Sequence, residues 1–288
     1  MAAHVLADGL YFAEAPRWHQ GKLWFSDFYD HAVKTVDVDG NVETKVVLDD
    51  QPSGLGWLPD GRLLIVAMHQ RAVLRMEYDA LVVHADLSHI ATFHCNDMLV
   101  DTIGRAYVGN FGFDLDAAEI SGTLPEVLAN HEGASLARVD HHGLAHTVAT
   151  GLMFPNGMAL TADGGTLIVA ETMARRLTAF DVGIDGSLTN QRVWAEVDGF
   201  PDGICMDADG AVWLADANGP RCIRVAEGGA VLDEVVTSRR AFACMLGGPD
   251  GRTLFMATSQ ESLAERASLA RTACIEVATV GVPHAGLP

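Results

Sequence analysis

Glu14, Asn96, Asn156 and Asp202 share one place in a repeating pattern, each standing nine or ten residues ahead of a short β-rich apolar run. Ser53 and Cys244 complete the column, and the six runs start at Leu23, Leu63, Arg105, Thr166, Ala211 and Thr253. Taken singly, an Asn, Asp or Ser at such a point reads as a turn residue bonding its own backbone. Repeated in register, the column reads as side chains carried to one place. Two carboxylates and two amide oxygens converging there make a donor set for a hard divalent cation. Ca²⁺ is the first choice, with Mg²⁺, Mn²⁺ or Zn²⁺ able to substitute in an open site. Two carboxylates buried side by side would repel each other strongly unless a cation lay between them.

The elements that must position these groups follow from the spacing. Successive column residues are 39, 43, 60, 46 and 42 residues apart, the length of a repeat built from one four-stranded unit. Turn signals such as LPDGR, DADG and GPDGR separate the column from the apolar runs LWFS, LLIVA, RAYVG, TLIVA, AVWLA and TLFMA. Third strands with alternating apolar residues follow, for instance AVKTVDV (32–38), RLTAFDV (176–182) and ACIEVA (273–278). Four antiparallel strands repeated six times predict an all-β, six-bladed β-propeller, an architecture with few exposed edges. A sandwich gives no reason for a sixfold column, and a β-helix has shorter coils. The sixth repeat runs out of sequence near residue 280, so residues 4–12 are predicted to close the last blade. In such a ring the column surrounds one mouth of the central tunnel, and each connection between second and third strands returns to that mouth. Two of these connections are long, 110–135 and 258–272, as expected of segments that cover a pocket.

Composition narrows the function further. The 288 residues are 49% hydrophobic, with no linker or low-complexity tract to divide them, so a single domain over 1–288 is expected. A formal charge of −19 argues against nucleic acid and anionic membranes as partners. The N-terminal MAAHVLADGLYF is not a signal peptide by pattern, no apolar run reaches the ~20 residues of a membrane helix, and five cysteines suggest no disulfide framework. A cytoplasmic protein is the expectation.

Five stretches resemble the gluconolactonase/regucalcin (senescence marker protein) family of six-bladed propellers: EAPRWHQGKLWFSD (14–27), NDMLVDTIGRAYVGNFG (96–112), FPNGMALTADGGTLIVAET (154–172), FPDGICMDADGAVWLADANG (200–219) and FACMLGGPDGRTLFMAT (242–258). The resemblance implies that Glu14, Asn156 and Asp202 ligate the metal directly. It implies that Asn96 binds substrate or helps hold the ion, and that Asp202 doubles as catalytic base. It further implies hydrolysis of lactones. Other ester or phosphotriester hydrolysis, or a non-catalytic calcium- or ligand-binding propeller, are the alternatives. The chemistry is coherent: the cation would polarise an ester carbonyl, and Asp202 would take a proton from the attacking water.

One departure bears on substrate. Sugar-lactonase members generally carry Arg two positions before the Asn of the third signature, where this chain has His94; the following Gly-Lys is Met98-Leu99. A multidentate cation for gripping sugar hydroxyls is therefore expected to be missing. With Phe111, Phe113, Leu115 and Leu124 in the long third-repeat loop, a lactone less polar than an aldonolactone is expected. His69, His94, Phe111 and Phe113 join Asn96 as expected substrate contacts. Cys244 is expected in the pocket wall, while Glu171 and Asn218 are further candidates to line it. Cys95, Cys205 and the tryptophans Trp18, Trp24, Trp57 and Trp213 are expected in the core.

Overall fold

Residues 3–286 are described by a computed structural model. They form six four-stranded antiparallel sheets, five of which are consecutive in sequence. The first strands, Ala13–His19, Pro52–Trp57, Cys95–Val100, Pro155–Leu160, Pro201–Met206 and Arg240–Gly247, touch one another in cyclic order and close a ring. The protein is thus a six-bladed β-propeller with these strands innermost. In the last blade the outer place is taken by His4–Leu10, antiparallel to Ala273–Thr279. The chain's start therefore closes its final blade, as the sequence predicts.

Burial follows radius. Inner and second strands are packed on both faces by neighbouring blades, so runs such as Leu63–Ala67 are buried throughout and need no polar alternation. Outer strands such as Val42–Val47 face solvent. Trp18 stacks on Phe255 at 5.2 Å to join blades one and six, and Trp24 meets Trp57 edge-on at 5.6 Å to join one and two. Cys95 and Cys205 are buried in apolar clusters, as expected.

The ring closes tightly because the residue after the column is small in four of the first five blades: Ala15, Gly54, Gly157 and Gly203. A Cβ on Gly157 would lie 2.5 Å from the Ile204 amide nitrogen and 2.6 Å from the Asp202 carbonyl oxygen. Backbone cannot yield there without moving the strand that carries Asp202. Gly157→Ala is expected to cost about 1–3 kcal/mol, read as a lower urea midpoint at unchanged m-value.

A second repeated device fixes the segments that enter the inner strands. Asp27, Glu171 and Asp216 each end a second strand. Asp27 accepts from the Phe12 N–H at 2.9 Å, Glu171 from Met153 at 2.7 Å and Asp216 from Phe200 at 3.0 Å. Each also pairs with a cation of the third strand: Lys34 at 2.7 Å, Arg176 at 2.8 Å and Arg221 at 3.0 Å. Glu171 is therefore spent inside its blade and does not line the pocket, contrary to the sequence expectation. Its carboxylate stabilises the fold that holds the site.

Candidate active site

A cavity of about 630 Å³ opens at the mouth where the chain enters the inner strands. Glu14, Asn96, Asn156 and Asp202 all line it. The connections between second and third strands of every blade contribute to its wall, through Tyr29, His69, Leu115, Met173, Asn218 and Ala264 among others. The predicted convergence of four column residues is therefore observed.

The sixth column position is different from the one read in the sequence. Phe242 lines the cavity, whereas Cys244 turns its Sγ to the carbonyl oxygens of Gly203 and Trp213, each 3.5 Å away in the blade interface. The sixth inner strand runs eight residues against six or seven in the other blades, so counting back from the apolar run stops short. Cys244 is a core residue with its thiol pushed well up by burial.

A second ring, unnoticed in the sequence, lies two residues before the first. Phe12, Gln51, His94, Phe154, Phe200 and Arg240 occupy this offset, and all six line the cavity. The signal was present as a constant spacing of two, the period at which a strand returns to the same side. This ring corrects the expectation of a missing cation. His94 does stand in the third-blade slot, but Arg240 fills the equivalent slot of the sixth blade. Its guanidinium bonds Ser262 Oγ at 3.0 Å and lies 5.2 Å over the Phe242 ring.

A hydrogen-bonded arc holds the polar floor. Ser53 Oγ donates to Asn96 Oδ1 at 3.2 Å, and Asn96 Nδ2 donates to Asn156 Oδ1 at 2.9 Å. Asn156 Nδ2 donates to Thr172 Oγ1 at 3.2 Å, and that hydroxyl donates to the Pro201 carbonyl at 2.8 Å. The arc spans blades two to five and fixes both amides, leaving Asn156 Oδ1 a second lone pair.

The carboxylates lie at its ends and are buried. Burial, then the nearby Asp97 carboxylate, pushes Glu14 up to about 8, against the Ala15 N–H at 2.8 Å and Arg17. Asp202 is raised well above an ordinary Asp by burial first, then by Glu14 and Asp97, with the Asn156 amide opposing. Below them Arg17 donates to the Met98 carbonyl at 2.6 Å and stands 4.0 Å from Asp97, whose Oδ1 has no hydrogen-bond partner among the described residues. Three buried carboxylates thus lie together, with Arg17 as the cation beside two of them, Glu14 and Asp97. Such an excess of negative charge fits a bound cation. Among the described residues no three His, Cys, Asp or Glu side chains gather as a metal site, and two of the four column donors are amides.

The walls are apolar. Phe111 stacks on Phe154 at 4.5 Å, Phe12 packs on Phe28 and Phe242 at 5.4 and 4.9 Å, and Phe93 stacks on His94 at 4.0 Å. Burial and the neighbouring His69 lower the proton affinity of His94. Phe113 does not line the cavity; it backs Phe154 at 5.7 Å. The two long connections fold as α1 (Leu115–Ile120), α2 (Leu124–Asn130) and α3 (Ala264–Ala267). They meet above the cavity, where the Ala264 N–H donates to Asp116 Oδ2 at 3.1 Å.

Fold, ring and sequence agree on the class. Residues 12–260 match the family described as SMP-30/Gluconolactonase/LRE-like region, and the chain belongs to that family. It is similar to the 6-deoxy-6-sulfogluconolactonase of Pseudomonas putida, 29% identical over 200 residues that cover 67% of this chain and 64% of that enzyme. The pentonolactonase of Haloferax volcanii is 27% identical over 258 residues, covering 85% of this chain and 81% of that one. In fold it resembles a solved calcium-binding protein, regucalcin, from Agrobacterium tumefaciens, with a TM-score of 0.77 at 19% identity over 100% of this chain and 99% of the other. No helix among the described residues is long and apolar enough to cross a membrane.

Proposed function

We propose that the protein is a divalent-cation-dependent lactonase whose substrate is less polar than a sugar aldonolactone. The observation that carries this reading is the floor of the cavity. There two buried carboxylates with raised proton affinity and a braced pair of amides face a ring of phenylalanines. The lactonases among its relatives support the reaction class.

Glu14, Asn156 and Asp202 would hold the cation, Ca²⁺ first by the hardness of their oxygens. When bound, it supplies Lewis-acid polarisation of the ester carbonyl. Asp202 removes the proton of the attacking water. Asn96, locked between Ser53 and Asn156, orients the substrate at the floor. His94 and Phe111 form the wall against the rest of the substrate, and Phe113 supports that wall from behind. Arg240, already engaged with the α3 connection, is a weaker competitor for sugar hydroxyls than a free arginine.

A pH-indicator hydrolysis panel tests the reading on metal-stripped protein reconstituted with Ca²⁺, Mg²⁺, Mn²⁺ or Zn²⁺. Alkyl lactones are expected to exceed gluconolactone in kcat/KM by at least about 10-fold, the scale that apolar pocket contacts provide. Gluconolactone turnover far above that of alkyl lactones refutes the substrate assignment. Absence of any turnover with the cation bound refutes the hydrolase.

A further inference from the structure

Asp50, His69 and His94 form a cluster that the floor chemistry leaves without a task. His69 lies on the short connection between second and third strands of blade two, three blades around the ring from Asp202 in blade five. In a ring of six, that is the opposite side of the cavity. Asp50 is buried, and its carboxylate accepts the Gln51 and Gln70 N–H groups at 2.7 and 2.9 Å. Its Oδ1 also lies 3.2 Å from Nδ1 of His69. The carboxylate therefore fixes the loop and sets a negative charge beside Nδ1 of the imidazole. Nε2 has no hydrogen-bond partner among the described residues, and the half-exposed ring lines the cavity. The His94 ring packs against it at 4.3 Å, and Asp114 and Arg71 are the other charged groups around the pair.

We propose that His69, aimed by Asp50, is the general acid that protonates the departing ring oxygen. This rests on the lactonase reading of the site. Water's oxygen bonds to the acyl carbon while its proton passes to the Asp202 carboxylate. The acyl carbon–ring oxygen bond then breaks, and the ring oxygen takes the proton carried on His69 Nε2. A hydroxy acid leaves; Asp202 releases its proton to solvent and His69 regains one, so the cycle closes without any other reactant. Base and acid on opposite sides of the substrate suit this order, because the entering and leaving oxygens occupy different positions on the acyl carbon. An alkoxide is a poor leaving group and gains most from such a donor.

Leaving-group dependence separates this role from a bracing one. His69→Gln, at a half-exposed loop position, is assayed on δ-valerolactone, which expels an alkoxide, and on dihydrocoumarin, which expels a phenoxide. The expected result is a fall in kcat of about 100-fold on valerolactone and under about 3-fold on dihydrocoumarin, with the thermal midpoint little changed. Asp50→Asn is expected to show the same selectivity in kcat with KM nearly constant, as a positioning residue should. Equal losses on the two lactones, or no loss on valerolactone, overturn the general-acid role while leaving the lactonase reading intact. Wild-type protein that opens neither lactone overturns both.

Discussion

Asp202→Asn is expected to lower kcat for lactone opening by at least about 1,000-fold while the protein still binds Ca²⁺, the scale on which loss of a general base acts. Asparagine keeps the shape of the side chain and one neutral oxygen for the cation, but it cannot accept water's proton. The measurement needs both halves: initial rates at saturating cation, and a calcium titration by calorimetry on the same sample. Retained binding with abolished turnover fits a base that is also a ligand. Near-normal turnover removes Asp202 from the chemistry. Loss of binding and turnover together makes it a ligand only.

That experiment is informative because the local structure resists collapse around the substitution. Asp202 sits on an inner strand whose neighbours are fixed by the Thr172–Pro201 bond and the close contact of Gly157 with the Asp202 backbone. Phe200, two residues earlier, is held by Asp216, which is itself paired with Arg221. None of these contacts uses the side chain at 202, so they survive a change there. Preorganisation of this kind makes a floor of buried polar groups tolerable in an apolar cavity.

The blades were legible in the sequence because their signals are local. Asp-Gly turns and apolar runs recur at fixed spacing, and the third strand Arg176–Val182 falls where its alternation predicts. Four of the six column positions carry polar side chains to the cavity for the same reason. The sixth was misread since Phe242 looks like core and the longer strand shifts the count to Cys244. Glu171 was misjudged because the sequence cannot tell a carboxylate facing a tunnel from one turned into its own blade toward Arg176. The ring two residues earlier was overlooked because most of its members are aromatic, and phenylalanine at a strand entry reads as packing. Only closure of the toroid shows that Phe12, Phe154 and Phe200 face the same space as Arg240.

Metal-free protein is expected to lose stability as pH rises from about 4.5 to about 8, and Ca²⁺ is expected to restore it. The sign follows from Glu14, whose carboxyl rises from 4.5 in the unfolded chain to about 8 in the fold. Between those values the folded state keeps a proton that the unfolded chain has released, so raising the pH favours unfolding. Asp202, raised for the same cause, adds in the same direction. His19, His84 and His94 are lowered by burial and act oppositely below about pH 6.5, so they blunt the slope. The net effect is on the order of a few kcal/mol, or roughly 5–10 °C in Tm for a chain of this size. A cation replaces those protons, so its affinity should climb across the same window as binding releases them. Thermal melts of EDTA-treated protein at pH 5 and pH 8, with and without Ca²⁺, measure both effects. Glu14→Gln should flatten the metal-free profile and weaken the calcium response together, because one carboxylate underlies both. A metal-free Tm that is higher at pH 8 than at pH 5, unmoved by Ca²⁺, would mean that the buried charge at the axis is neutralised by something other than a divalent ion.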